Sequence, residues 1–225
     1  MVSRGVKTFI DNFDRAQSFT TTPGHNGWTI ADTSSAGAPT YLNVTEDGGA
    51  AKLTLAADSE AEIVTLFQND VLTYDVAQLQ HMWFVAKVAA VDAVTTLVFG
   101  AGAAQNDVSD SVATNAWFRI EGSVSTSALV AESDDATNDN NDVATGASLA
   151  TVYKKCLIDF TDGLANVKFY VDGARVAEGT TFDMSALTAG LNVQPFVQLQ
   201  KASGTGVPSV SIAQFGVQYA YAYGA

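Results

Sequence analysis

Tyr153-Lys154-Lys155-Cys156-Leu157-Ile158-Asp159-Phe160-Thr161-Asp162-Gly163-Leu164-Ala165-Asn166-Val167-Lys168-Phe169-Tyr170-Val171-Asp172-Gly173 is the stretch whose reading decides the fold. Cys156, Ile158 and Phe160 alternate with Leu157 and Asp159, the period of an extended chain with one apolar face. Asp162-Gly163 then supplies a turn, because both residues tolerate positive φ. Val167, Phe169 and Val171 alternate with Lys168 and Tyr170 before Asp172-Gly173 turns the chain again towards Arg175, Val176 and Ala177. This predicts three antiparallel strands in succession.

Working outward, the same period appears from Tyr41 to Thr45, Ala51 to Leu55, Met82 to Val88, Val94 to Phe99, Trp117 to Glu121 and Val193 to Gln200. In the last long segment Val210 and Ile212 occupy even positions, whereas Phe215, Val217, Tyr219, Tyr221 and Tyr223 occupy odd ones. One extra residue near Ala213-Gln214 accounts for that switch, so a β-bulge is expected there. Ser59 and Glu62 could form a capping box ahead of Ile63, Leu66 and Phe67, which leaves helix and strand equally open for that segment. The polar run from Glu132 to Asn141 contains little that could be buried and is expected to be a loop, as is Thr20 to Gly27. Many short strands separated by Gly- and Asp-rich turns predict an all-β, two-sheet antiparallel sandwich.

Composition narrows the function. The chain has 225 residues, 24 acidic and 11 basic side chains and a net charge of −13. Nucleic acid and anionic membranes are therefore unsuitable partners, because both attract clustered Lys and Arg. With 47% apolar residues the chain has the means to build a core, and sandwiches of up to about 250 residues occur as one domain. The expectation is a single β-sandwich domain over 1–225, with 1–8 as an N-terminal arm. The lone Cys156 excludes an intramolecular disulfide and a paired-cysteine metal site. Met1-Val2-Ser3-Arg4-Gly5 lacks the apolar core of a signal peptide, so synthesis in a host cytoplasm is expected.

The order of these signals resembles a known family. Phe9-Ile10-Asp11-Asn12-Phe13, Trp28, Lys52-Leu53-Thr54-Leu55 and Glu62-Ile63-Val64-Thr65-Leu66 come first. Trp83-Phe84-Val85-Ala86-Lys87-Val88, Leu97-Val98-Phe99-Gly100 and Trp117-Phe118-Arg119-Ile120 follow. Lys155-Cys156-Leu157-Ile158-Asp159, Val167-Lys168-Phe169-Tyr170-Val171-Asp172-Gly173 and Pro195-Phe196-Val197-Gln198 close the series. The chain is similar to concanavalin A-like (laminin G-like) jelly rolls, most of all those among the structural proteins of tailed bacteriophages. The resemblance implies two packed antiparallel sheets and makes Glu62 to Phe67 a strand. The family includes lectins, glycoside hydrolases and noncatalytic adhesion or capsid-surface modules, so fold does not choose the function.

Hydrolases of this fold carry a Glu-x-Asp-x-x-Glu set; here Glu132-Ser133-Asp134 is followed by Thr137 where the second Glu belongs. Asp134, Asp135, Asn138, Asp139 and Asp142 could offer oxygens to calcium, but lack the EF-hand spacing and read as a solvated loop. His25 and His81 have no spaced partners. Cys156 sits on an apolar face and reads as an inert thiol. Gly100-Ala101-Gly102 and Gly204-Thr205-Gly206 lack the following Lys-Ser or Lys-Thr of a phosphate loop and read as turns. Trp83 and Trp117 read as core, with Trp28 undecided. Tyr219 reads as core; Tyr221 and Tyr223 could equally line an intersubunit contact. No catalytic, cofactor-binding or metal residue is therefore assigned, and no cofactor.

The resemblance makes a noncatalytic virion structural protein the leading expectation: a head decoration or cement protein on the capsid exterior. Its partners would be the major capsid protein or other virion proteins, and it would form a homo-oligomer, a trimer if it sits on a local threefold axis. The alternative is a glycan-binding lectin-like module, on a tail appendage or for host-surface adhesion, with an exposed aromatic platform beside a polar cluster.

Overall fold

In the computed structural model, residues 3–15, 17, 19–187 and 191–223 are described. The strands are β1 (Ser3–Asp11), β2 (Thr29–Asp32), β3 (Thr40–Val44), β4 (Ala50–Thr54), β5 (Glu62–Phe67), β6 (Tyr74–Asp75), β7 (Leu79–Ala89) and β8 (Thr95–Gly102). The second half adds β9 (Asn115–Glu121), β10 (Ala128–Asp134), β11 (Asp139–Ser148), β12 (Lys154–Asp159), β13 (Lys168–Val171), β14 (Ala174–Val176), β15 (Asn192–Lys201) and β16 (Ser209–Tyr223).

They form two antiparallel sheets. One runs β14-β13-β12-β7-β16-β4-β3, with β1 also on β16; the other runs β11-β10-β9-β8-β15-β5-β2, with β6 on β15. The deciding stretch becomes β12, β13 and β14, paired Cys156↔Val171 and Phe169↔Val176. Residues 1–8, set apart in the sequence as an arm, enter β1 at Ser3, and β1 pairs with β16 from Ser3↔Tyr223 to Asp11↔Phe215. Glu62 to Phe67 is a strand, as the resemblance implied.

The sheets meet through the rows that period two predicts. Met82, Phe84, Ala86 and Val88 of β7 face Leu97, Phe99 and Ala101 of β8 and Phe118 and Ile120 of β9 across one continuous core. Aromatic rings form its spine: Phe215–Phe84 at 5.3 Å, Phe84–Phe99 at 5.9 Å, Phe99–Phe118 at 5.6 Å and Phe118–Phe169 at 5.2 Å. Such ring pairs add about 0.5–1.5 kcal/mol each beyond area burial. In β16 the register against β7 shifts between Ile212 and Gln214. That bulge returns Phe215 and Val217 to the core face already used by Val210 and Ile212.

Two sequence expectations change here. The run from Glu132 to Asn141 is not a loop: β10 and β11 form a hairpin across it, paired Ser133↔Asn140 and Asp134↔Asp139. Its inward row is short and small, Leu129 and Ala131, so it carries little hydrophobic signal. Gly100-Ala101-Gly102 is not a turn but the end of β8. A Cβ on Gly100 would stand 2.5 Å from Trp117 Cα and 2.4 Å from the Ala116 carbonyl oxygen, so glycine is what lets β9 lie this close.

The β8 and β15 rows are buried on both faces, which erases their polar alternation. The outer face of their sheet is covered by the connection between β8 and β9. Val112 from that connection joins Trp117, Phe196, Val98 and Phe67 in a second, smaller apolar cluster. Gln198 donates to the Asn106 carbonyl at 2.8 Å, and Gln194 donates to the Ala103 carbonyl at 3.0 Å.

Candidate functional site

Beside this covered patch, on the same outer face, lies a cleft of about 240 Å³. Strand β9 supplies Asn115, Trp117 and Arg119, β10 supplies Glu132 and Asp134, and β11 supplies Asp139, Asn141 and Asp142. Alternation explains the first two sets, since residues two apart share a face. The third set needs a bulge. Ala131 pairs with Val143 and Ser133 with Asn140, so both Asn141 and Asp142 stand opposite the single residue Glu132. Asp142 takes φ +51° within this bulge and lines the cleft as an exposed residue.

Glu132 is the centre of the arrangement. It is 3% exposed. Trp117 Nε1 donates to its Oε2 at 2.6 Å, and Arg119 reaches its Oε1 at 3.3 Å. Burial nevertheless pushes its carboxyl up to about 7, against the Trp117 and Arg119 contacts; the hydrogen bond to Asp142 and the charge of Asp142 push the same way. Glu132 is thus a buried carboxyl that holds its proton beside the exposed Asp142. Arg119 bridges outward to Asp110 at 2.7 Å and Glu121 at 2.9 Å. Burial opposes its charge, but Glu132, Glu121 and Asp110 together hold the guanidinium above its ordinary value. Asn115 is 5% exposed; its Nδ2 donates to the Val112 carbonyl at 3.1 Å, while its Oδ1 is buried without a partner.

The sequence candidates divide sharply. Of the residues weighed for hydrolysis, Glu132 and Asp134 come together in the cleft, and Thr137 lies in the turn beyond it. Of the calcium candidates, Asp135 is committed to the backbone: it accepts from the Thr137 and Asn138 amides at 3.0 and 2.6 Å and from the Ala186 amide at 2.9 Å. Those donors hold its carboxyl below the usual value despite burial. Asp134 accepts from the Ala136 amide and its carboxyl is raised, by burial first and by Asp139 and Asp135 after it. Among the described residues no group of three or more His, Cys, Asp or Glu side chains is placed to hold a metal.

His25 is exposed in a 3-10 turn. His81 lies within β7, its Nδ1 2.8 Å from Gln218 Oε1. Cys156 is buried, which pushes its thiol up to about 12. All three tryptophans are buried, as expected for Trp83 and Trp117 and left undecided for Trp28. Trp28 is in the main core, with Nε1 donating to Asp11 at 2.8 Å. Trp117 and Trp83 are buried but face outward, Trp117 under the cleft and Trp83 on the opposite sheet with Lys155 over its ring. Among the described residues no aromatic platform flanks the cleft, whose lining tryptophan, Trp117, is buried. Tyr219 packs on the core beside Tyr74. Tyr221 lies over Gly5, and the Tyr223 side chain is outside the described residues.

Sequence reasoning missed Asn115, Arg119 and the role of Glu132. The available signal was the alternation of Leu129, Ala131 and Ser133 with Val130, Glu132 and Asp134. No signal in the sequence placed β9 beside them.

No protein-family model matches the sequence, and no curated protein matches it. Solved structures do match. The carbohydrate recognition domain of Emp47p aligns with a TM-score of 0.57 at 10% identity, over 94% of this chain and 94% of that one. A Bacteroides ovatus mixed-linkage-glucan GH16 in complex with a G4G4G3G product aligns at 0.59 and 10% identity, over 96% and 99%. The Crh5 transglycosylase without ligand aligns at 0.51 and 14% identity, over 94% and 84%. At these identities the likeness shows the fold, a concanavalin A-like jelly roll. It also corrects the expectation that the chain is not an enzyme. The same architecture carries a transglycosylase and a GH16 protein, and the missing Glu at Thr137 does not exclude catalysis when Asp142 reaches Glu132 from the next strand.

Proposed function

We propose that this jelly roll recognises carbohydrate, with the cleft around Glu132 and Asp142 as its ligand site. The observation that carries this reading is the unpartnered, buried Oδ1 of Asn115 in the wall of a cleft lined with carboxylates and amides. A buried acceptor without a donor costs about 1–3 kcal/mol, and a sugar hydroxyl would satisfy it. The carbohydrate recognition domain among the solved neighbours supports the same reading. Capsid decoration, the leading expectation from the sequence, has no comparable support in the fold or its neighbours.

The test is a glycan array followed by titration calorimetry on any hit. Wild-type binding that falls at least tenfold in Asn115→Ala supports the reading. Binding unchanged by that substitution, or no binding to any glycan, overturns it.

A specific observation favours a second, catalytic reading. Glu132 keeps its proton to about 7 beside Asp142, and cleavage of a glycosidic bond needs a carboxylic acid paired with a carboxylate. Asp142 interacts with Glu132 across the hairpin, and a retaining mechanism needs the two carboxyls ~5–5.5 Å apart. Release of reducing sugar from soluble glucans that disappears in Glu132→Gln would establish it. Binding without release would leave recognition alone.

A further inference from the structure

The cleft is unbalanced in charge. Among the described residues, Arg119 is the one cationic side chain lining it, and that guanidinium is already engaged by Asp110, Glu121 and Glu132. Glu132 is itself neutral below about 7. That leaves Asp134 and Asp139 facing the space with no cation of their own, and Asp142 with only a share of the already engaged Arg119. Asp134 and Asp139 keep one neutral donor each, the Ala136 amide at 2.6 Å and Asn141 Nδ2 at 2.7 Å. Asn115 lines the same cleft, 5% exposed as a residue, and its Oδ1 is an acceptor without a donor. The carboxylates and the Asn115 carbonyl on this wall ask for donors, the buried Arg119 Nε asks for one acceptor, and the excess of carboxylates asks for positive charge.

Glycans differ in these terms. Uronic, sialic and sulfated sugars bring anions and would meet like charge, which disfavours binding. Neutral sugars bring hydroxyls but no charge. A sugar carrying a free amine brings an ammonium with three donors and no acceptor. We propose that the cleft selects oligosaccharides bearing free amino groups, held by Asp134, Asp139 and Asp142 and by the unpartnered carbonyl oxygen of Asn115. This rests on the carbohydrate reading above and narrows it to a ligand class.

Calorimetry at about pH 6, with the sugar amine protonated, compares three probes: a β-1,4-linked glucosamine tetramer, its fully N-acetylated counterpart and an unmodified β-1,4-glucan tetramer. The free-amine tetramer is expected to bind at least tenfold tighter than either other probe. The preference is expected to vanish in Asp139→Asn/Asp142→Asn and to persist in Asp32→Asn, on β2 at the far edge of the sheet. Thermal melts of both variants confirm folding. Equal or tighter binding of the N-acetylated or unmodified tetramer, lost in Asn115→Ala, overturns the amine selectivity and leaves carbohydrate recognition standing. A preference that survives Asp139→Asn/Asp142→Asn overturns it as attraction to the −13 chain as a whole. Spermine binding as tightly as the free-amine tetramer overturns the sugar class. Absence of binding by all three tetramers overturns both the inference and the reading beneath it.

Discussion

Glu132 shows how one residue ties stability to function. Its carboxyl titrates near 4.5 when unfolded and is raised to about 7 in the fold. Between those values the native state holds a proton that the unfolded chain releases, so stability falls as pH rises through the window. The same linkage gives a ceiling of about 3 kcal/mol for the loss. In Glu132→Gln the group stays neutral at every pH. Urea midpoints measured from about pH 4.5 to 7 should decline in the wild type and decline less in the variant; parallel profiles would refute the raised Glu132 carboxyl. In the sequence Glu132 and Asp134 stand only as a partial match to the hydrolase set inside a run read as a loop, and the burial of Glu132 is not legible. Two short inward residues, Leu129 and Ala131, were too weak a signal to make the polar run a strand.

At the scale of elements, polar groups fix how loops sit on sheets. Lys201 at the end of β15 stands opposite Glu62 at the start of β5. Both side chains are fully buried, with Nζ 3.8 Å from Glu62 Oε2. The ammonium also donates to the carbonyls of Ala56, Asp58 and Gly206, and Glu62 accepts from the Ala56 amide at 2.7 Å. One lysine thus anchors the β4–β5 and β15–β16 connections. Lys201→Met removes the cation and leaves Glu62 charged and buried, at a cost of about 3–5 kcal/mol. Adding Glu62→Gln should recover part of that loss, as measured by urea unfolding. The sequence shows Lys201 only as an ordinary charge after an apolar strand; its role depends on a pairing with a residue far away along the chain. The bulge in β16 was legible because its evidence is local, a switch in parity between Ile212 and Phe215. The bulge in β11 was not, because no apolar row there registers the switch.

At the scale of the whole molecule, the core is one aromatic line through both sheets. Phe84 on β7 touches Phe215 of its own sheet and Phe99 of the other. Phe84→Ala should cost about 3–5 kcal/mol and lower the urea midpoint without changing the number of transitions. Two separated transitions would show that the sheets unfold independently. The −13 charge also acquires a place at this scale. Part of it gathers in the β10–β11 hairpin, where Glu132, Asp134, Asp139 and Asp142 converge on one cleft instead of dispersing as a solvated loop.

Sequence by itself determined the class of fold, the three-strand run from Lys154 to Val176, the inward row of β12 and the β16 bulge. Each of these is written in a period of two, which any local window can read. Tertiary structure alone decided which outer face is covered, where Trp117 and Trp83 point and which carboxylates meet. Period two assigns residues to two faces, but it does not say what lies against each face. The β8–β9 connection folding over Trp117 and Phe196 settles that on one sheet. The β11 bulge, by bringing Asp142 across to Glu132, turns an acidic run into a cleft.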